Sequence, residues 1–281
     1  MNLDFHLHTN FSDGILPPEE LVEKVHRNGV ALFSITDHDC LDGISAARSR
    51  AESLGMTLIS GLEINTDWQD GEVHILGYGF DTEFSPLLKK LEEQRFYRHE
   101  RLKVMIEKLK AFGLNLDESR VFEIAGKGSA GRPHLALALK EKNYVSNVEE
   151  AFEKYLGYGK PGWAPRSKFT PHDAIKAISD AGGIPVLAHP GRTRNVQIES
   201  LISSGLKGIE VFYPKHSPDL TQKLLALAKK HDLMVTGGSD YHGINSWEKD
   251  PGMEVPDDVI SNLKRRLEKD FPDRASEKLK S

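Results

Sequence analysis

A chain of 281 residues with 38% hydrophobic and 28% charged residues is long enough for one large domain and too well balanced to be disordered. Its net charge of -5 argues against a protein that coats long duplex DNA by bulk charge, and no run approaches the roughly 20 apolar residues that span a bilayer. The single cysteine, Cys40, excludes a disulfide framework and a thiolate cage, so any bound metal must be held by nitrogen and oxygen.

Met1 runs straight into the first apolar segment, with no basic-then-apolar leader, and the expectation is a cytoplasmic protein. Short apolar, β-rich runs then recur with helical segments between them, the pattern of a parallel α/β fold. Strands are predicted at residues 3–8, 31–36, 57–61, 73–78, 184–188, 208–212 and 234–238. Helices are predicted for "PPEELVEKVHRNG", "DGISAARSRAESLG", "TPHDAIKAISDAGG" and "SPDLTQKLLALAKKHD", with Pro at several starts and Gly after several ends.

The alternation breaks between residues 81 and 170. "SPLLKKLEEQRFYRHERLKVMIEKLKAFG" predicts one long helix whose second half carries Leu102, Met105, Ile106, Leu109 and Phe112 as an apolar stripe. Shorter helices are expected near 116–125, 133–140 and 147–155, before the Gly- and Pro-rich "GYGKPGWAPRSKFTP". Residues 1–80 and 171–281 are thus expected to form a barrel and 81–170 an inserted helical subdomain. The tail "DRASEKLKS" is expected to fray.

In barrels of parallel strands, functional groups sit at the C-terminal strand ends. The first strand ends in His6 and His8, with Asp13 in the following loop. The second ends in "TDHD", with His38; the third runs into "GLEI", with Glu63. The fourth carries His74, the fifth ends at His189 in "LAHPGR", and the seventh leads to Asp240 and His242 in "GGSDYHG". His6 and His8 share one strand face by the period of two. A lone H-x-H is more often incidental than ligating, but structural histidines have no reason to collect at one end of nearly every strand. Asp39 is expected to support its turn and Cys40 to be a small buried hydrophobe.

"HLHTNFSDG", "TDHD", "GLEI", "EVHILGYG", "AHPGR" and "SDYHG" resemble the motifs of the polymerase and histidinol phosphatase (PHP) family of metal-dependent phosphoesterases, over nearly the whole chain. The resemblance implies a distorted (β/α)7, TIM-like barrel with two or three divalent ions at the strand ends. Manganese is first among the candidate ions, with zinc, iron and magnesium as the others. By motif, His6, His8, Glu63 and Asp240 would hold one ion and Asp13, His38 and His242 a second. Glu63 would bridge to a third held with His74 and His189. Some relatives carry His where this chain has Asp13. Of these nine residues, Asp13, His38, Glu63, Asp240 and His242 are the expected catalytic group.

Clustered divalent ions acidify a shared water and neutralise phosphoryl oxygens, so the resemblance and the chemistry agree on a phosphoester substrate. The helical insertion and "GKGSAGRPHLALAL" resemble the branch with nucleoside 3′,5′-bisphosphate phosphatases and 5′→3′ exonucleases on short RNA. The expected partner is therefore a small nucleotide or short RNA, with no long duplex DNA, membrane or obligate protein partner. Ser129, Arg132, His134 and His216 are the predicted substrate contacts, the first three near a helix start that favours anions. Lys160, Arg166, Arg192 and Tyr213 lie near loop ends that could also reach substrate. Three rivals stand beside this reading: a phosphatase of another small monoester such as histidinol phosphate, a metal-holding nucleotide sensor, and an amidohydrolase. The last usually needs a mid-barrel lysine, which no predicted strand exit supplies.

Overall fold

The computed structural model describes residues 2–68, 71–166, 169–192, 197–244 and 250–270. Eight strands form a sheet in the order β7-β6-β5-β4-β3-β2-β1-β8. They are β1 (Asn2–Asp4), β2 (Leu32–Ile35), β3 (Thr57–Trp68), β4 (Gly71–Tyr78), β5 (Ile184–Leu187), β6 (Gly208–Phe212), β7 (Met234–Gly237) and the short β8 (Met253–Glu254).

The sheet closes on itself only at one end. Beyond Asp4, the first strand stays bonded to the exit of β2, with Thr36 N donating to Leu7 O, and also pairs with the exit of β7: Phe5 N donates to Gly237 O, Asp240 N to His6 O, and Leu7 bridges Tyr241 in parallel. At the other end β8 lies antiparallel to β1. The regular part of β1 is therefore shorter than the predicted 3–8, because the Asp4 carboxylate itself accepts from His6 N. A side chain replaces a ladder partner there.

One strand runs against the expected parallel direction. β4 is antiparallel to both β3 and β5, joined to β3 without an intervening helix, so its beginning, not its end, lies at the mouth. This is why His74, four residues from the start of β4, sits opposite Asn65 near the end of β3. The remaining neighbours from β1 to β3 and from β5 to β7 are parallel.

Helices cover the outside. α1 (Pro18–Arg27) and α2 (Ile44–Ser53) bury Leu21, Val25, Ala47 and Ala51 against Phe33 and Ile35. α7 (Pro171–Asp180), α8 (Ile198–Ser203) and α9 (Pro218–Lys230) bury Ile175, Ile178, Leu201 and Leu224 against Leu62, Ile64, Ile75 and Ile209. The alternate residues Ile59, Leu76, Tyr78 and Val186 fill the interior, where α10 (Asp257–Asp270) adds Ile260, Leu263 and Leu267. The sequence reading missed β8, α8 and α10, while the predicted tail at 273–281 lies outside the described residues.

α3 (Ser85–Ala111) starts on the barrel, with Leu87 and Leu91 in its outer core. Its second half, with Leu102, Met105, Ile106 and Leu109, builds a separate apolar cluster with α4 (Glu118–Ala125), α5 (Arg132–Glu141) and α6 (Val148–Ala151). Phe112, predicted on that stripe, is instead 61% exposed just past the helix end. The expected last helix of this segment divides into α6 and a π-helical turn, Phe152–Leu156. Among the described residues no helix is long and apolar enough to cross a membrane. Cys40 is buried, and burial pushes its thiol up to about 12.

Candidate metal centre

Glu63 is the hub. β3 alternates, so Ile59, Gly61 and Glu63 face inward while Leu62 and Ile64 face out, and the carboxylate arrives fully buried at the mouth. Its Oε1 lies 2.8 Å from His74 Nδ1 and 3.1 Å from His189 Nε2. Its Oε2 lies 2.9 Å from His38 Nδ1 and 3.3 Å from both His6 Nε2 and His8 Nε2. Burial alone would raise the Glu63 carboxyl, but the imidazoles of His38, His6 and His74 hold it well below its usual range.

All nine predicted ligands meet here. Three groups have donor atoms within 4.8 Å of one another: His6, His8, Glu63 and Asp240; His8, Asp13, His38 and His242; and His38, Glu63 and His74. The first is the set expected from the motifs. In the second, His8 joins the expected trio. In the third, His38 stands where His189 was expected, although His189 reaches the same Glu63 oxygen as His74.

A cation fits this arrangement on two grounds. His6 Nε2, His8 Nε2, Asp13 Oδ1, His38 Nδ1 and Glu63 Oε2 are buried and have no hydrogen-bond partner, which is costly unless another group satisfies them. The electrostatics agree. Burial drives His38 down to about 4 and His189 to about 3, leaving neutral imidazoles suited to ligation. Burial also disfavours a charged His8, yet Asp240, Glu63 and Asp13 raise it to about 10. The carboxylates draw a proton onto His8 where a metal would otherwise supply the charge. Oxygen and imidazole donors together suit zinc and the harder divalent ions.

The loops that carry the ligands are pinned by carboxylates the sequence reading passed over. Asp37 accepts from Thr9 N, Thr9 Oγ1 and Ser12 Oγ at 2.7, 2.6 and 2.5 Å, fixing the loop between His8 and Asp13. Asp4 accepts from Ser239 N and Oγ, next to Asp240. Glu210 Oε1 takes His6 Nδ1 at 2.9 Å while its Oε2 accepts His189 N at 2.7 Å, orienting two ligands from one strand. Its one signal was a lone acid on the inward period of "GIEVF". Gly238 lets β7 press on the first strand, since a Cβ there would stand 2.3 Å from His6 Cβ. Asp39, His189 and Asp240 adopt left-handed backbone conformations at strand exits, each costing about 1–3 kcal/mol.

Arg192 Nη1 and Tyr213 Oη donate to Asp240 Oδ2 at 3.0 and 3.1 Å, leaving Oδ1 beside His6 and His8. Asp39 accepts from Arg98 Nε of α3 at 2.6 Å.

The cluster opens into a cavity of about 310 Å3 whose walls include Arg98, Arg132, Arg166, Arg192 and Lys215. The predicted substrate contacts divide. Arg132 lines the cavity; Ser129, His134 and His216 do not. Ser129 is 1% exposed, and His134 spends Nδ1 accepting Gly131 N at the start of α5. His216 donates from Nδ1 to Val211 O and accepts Gly191 N at Nε2, so it ties two loops together and has no ring nitrogen left for substrate. Lys160 is exposed and off the cavity, whereas Arg166, Arg192 and Tyr213 surround it or its ligands.

Comparison with known proteins agrees with the geometry. The PHP domain matches residues 4–162. The chain is 34% identical over 258 residues to a 3′,5′-nucleoside bisphosphate phosphatase of Chromobacterium violaceum, covering 89% of this chain and 90% of that protein. It is 33% identical over 264 residues to a 5′-3′ exoribonuclease of Haemophilus influenzae, covering 92% and 96%. A solved structure from Bifidobacterium adolescentis, put forward as a metal-dependent phosphoesterase, superposes with a TM-score of 0.86 at 31% identity, covering 94% and 96%.

Proposed function

The chain belongs to the PHP domain family of metal-dependent phosphoesterases, hydrolases of phosphoester bonds, and from that premise we propose that it acts on nucleotides. Its substrates are a nucleoside 3′,5′-bisphosphate, the 5′ end of a short RNA, or both. The observation that carries this is the shared space: Asp13, His38 and Glu63, three of the five cluster residues whose buried atoms lack a hydrogen-bond partner, line a cavity walled also by arginines. A substrate with two phosphates suits a metal cluster and arginines side by side.

His6, His8, Glu63 and Asp240 would hold one ion; Asp13, His38 and His242 a second; Glu63, His74 and His189 a third, with manganese first among the metals. Bound there, divalent ions supply positive charge to the phosphoryl oxygens and acidify a water at neutral pH. The chain's own residues do the rest. Glu210, Asp37 and Asp4 keep the donors aimed inward, and Arg192 and Tyr213 turn Asp240 so that one oxygen faces the centre. Burial of the cluster keeps bulk water from competing for the same donors.

The test is turnover by the manganese-loaded protein of adenosine 3′,5′-bisphosphate, 5′-phosphorylated short RNA and histidinol phosphate. Release of phosphate or mononucleotide from the first two is expected. Turnover of histidinol phosphate alone would sink the nucleotide reading.

A further inference from the structure

Beside the metal cluster, one carboxylate gathers three guanidinium groups, its Oε2 3.7 Å from His74 Nε2. Glu72, in β4 and two residues before His74, lies 13% exposed at its side chain between elements distant in sequence. Arg101 from α3 donates to its Oε1 at 3.1 Å, and Arg132 at the start of α5 donates to its Oε2 at 2.7 Å. Arg166 Nε stands 3.1 Å from Oε1 as an ion pair. Arg101 also donates to Ala164 O, and the Arg132 guanidinium lies 5.3 Å from the centre of the Phe152 ring.

Three cations crowd one anion, with Asp67 and Asp39 as further carboxylates near enough to act on Arg166. Burial, with the neighbouring Arg166 and Arg132, lowers Arg101 to about 9 against the pull of Glu72. Arg166 is lowered by burial too, and by Arg98 and Arg132, although Glu72 opposes this. Buried guanidiniums crowded in this way splay apart unless an anion holds them. Arg132 and Arg166 line the same cavity as Asp13, His38, Glu63 and His74, whereas Arg101 does not. Glu72 is thus anchored from behind by Arg101 and holds the two cavity-facing arginines in front.

We infer that Glu72 is a positioning residue that holds Arg132 and Arg166 as a fork for an anionic group of the substrate other than the phosphate at the metal cluster. This rests on the phosphoesterase reading above and deepens it, because it names what selects a substrate with two phosphates. Arginine presents paired donors to phosphate oxygens, and a prearranged pair loses little freedom on binding. Removing Glu72 has two opposed effects: the fork loses its scaffold while its net positive charge rises. Mutual repulsion of buried guanidiniums makes loss of geometry the larger effect.

The test compares Glu72→Gln and Glu72→Asp with the unaltered, manganese-loaded protein, using adenosine 3′,5′-bisphosphate and the one-phosphate substrate p-nitrophenyl phosphate. Glu72→Gln is expected to raise KM for the bisphosphate about tenfold, a loss confined to binding, with a much smaller change in kcat/KM for p-nitrophenyl phosphate. Glu72→Asp, which keeps the charge, should recover part of that loss. Metal content and the thermal midpoint report whether each variant is loaded and folded, and Arg166→Gln gives the same KM reading if Glu72→Gln does not fold. Equal losses on both substrates would overturn the inference, because Glu72 would then act through His74 and the metals. An unchanged or lower KM would overturn it as well. If the unaltered protein hydrolyses p-nitrophenyl phosphate but not the bisphosphate, the bisphosphate reading fails and short RNA remains as the nucleotide substrate. The fork is then judged by whether the bisphosphate inhibits that turnover less in Glu72→Gln. Hydrolysis of neither substrate, with no release from 5′-phosphorylated short RNA either, overturns both.

Discussion

Asn65 and His74 face each other across the β3–β4 hairpin, with Asn65 Nδ2 3.0 Å from His74 Nε2. Arg98 fixes which end of the amide does this. A guanidinium can only donate, and its Nη2 lies 2.7 Å from Asn65 Oδ1, so the amide nitrogen must face the imidazole. His74 thus has Nε2 beside the Asn65 amide and Nδ1 2.8 Å from Glu63 Oε1. A chain of contacts runs from Asp39 through Arg98 and Asn65 to the hub of the cluster.

Asn65→Leu keeps the approximate volume and removes the amide. Turnover is expected to fall about 10- to 100-fold, the range found when a partner behind a metal ligand is lost, with less metal retained through gel filtration. Full activity with full metal content would show that the Arg98–Asn65 contact only joins α3 to the barrel.

Chelation should be visible without any substrate. The five buried donors have ion-pair neighbours but no hydrogen bond, and cations would satisfy them, so manganese should stabilise the fold by mass action. At a hundredfold excess over Kd the gain is about 2.7 kcal/mol, or about 5 °C or more in Tm for a chain of this size. A scanning calorimetry trace that does not move between chelator and manganese would contradict the cation cage. Asp13→Ala should reduce the shift while leaving the metal-free trace close to that of the unaltered protein.

Substitution of His216 separates a structural histidine from a proton donor. Both ring nitrogens are engaged by the backbone, so His216→Ala should destabilise the loops by about 1–3 kcal/mol through the unpaired Gly191 N and Val211 O. The pH–rate profile should keep both limbs. Loss of the limb that reports a protonated acid, in a folded variant, would return His216 to the chemistry.

Much of this protein is written locally. Seven of the eight strands are legible as short apolar runs, because a strand buried on both faces needs nothing but apolar residues. The nine donors are legible because each sits at a strand exit beside a turn, where a polar side chain is otherwise hard to explain. The family match agrees with the metal-dependent phosphoesterase reading as a whole. Substrate contacts were less legible. His134 and His216 have the same composition around them as the clustered donors, and only their backbone partners reveal that Nδ1 of His134 and both nitrogens of His216 are already used.

What the sequence by itself determined, then, is which atoms can bind a cation and which segments carry them, since donor chemistry and strand periodicity are properties of a few neighbouring residues. The direction of β4, the pinning of ligands by Glu210, Asp37 and Asp4, and the gathering of Arg101, Arg132 and Arg166 on Glu72 were decided only by the tertiary structure. Those contacts join positions tens to hundreds of residues apart. Their energies come from burial and charge pairing that exist only once the barrel has closed and the helical segment has packed over its mouth.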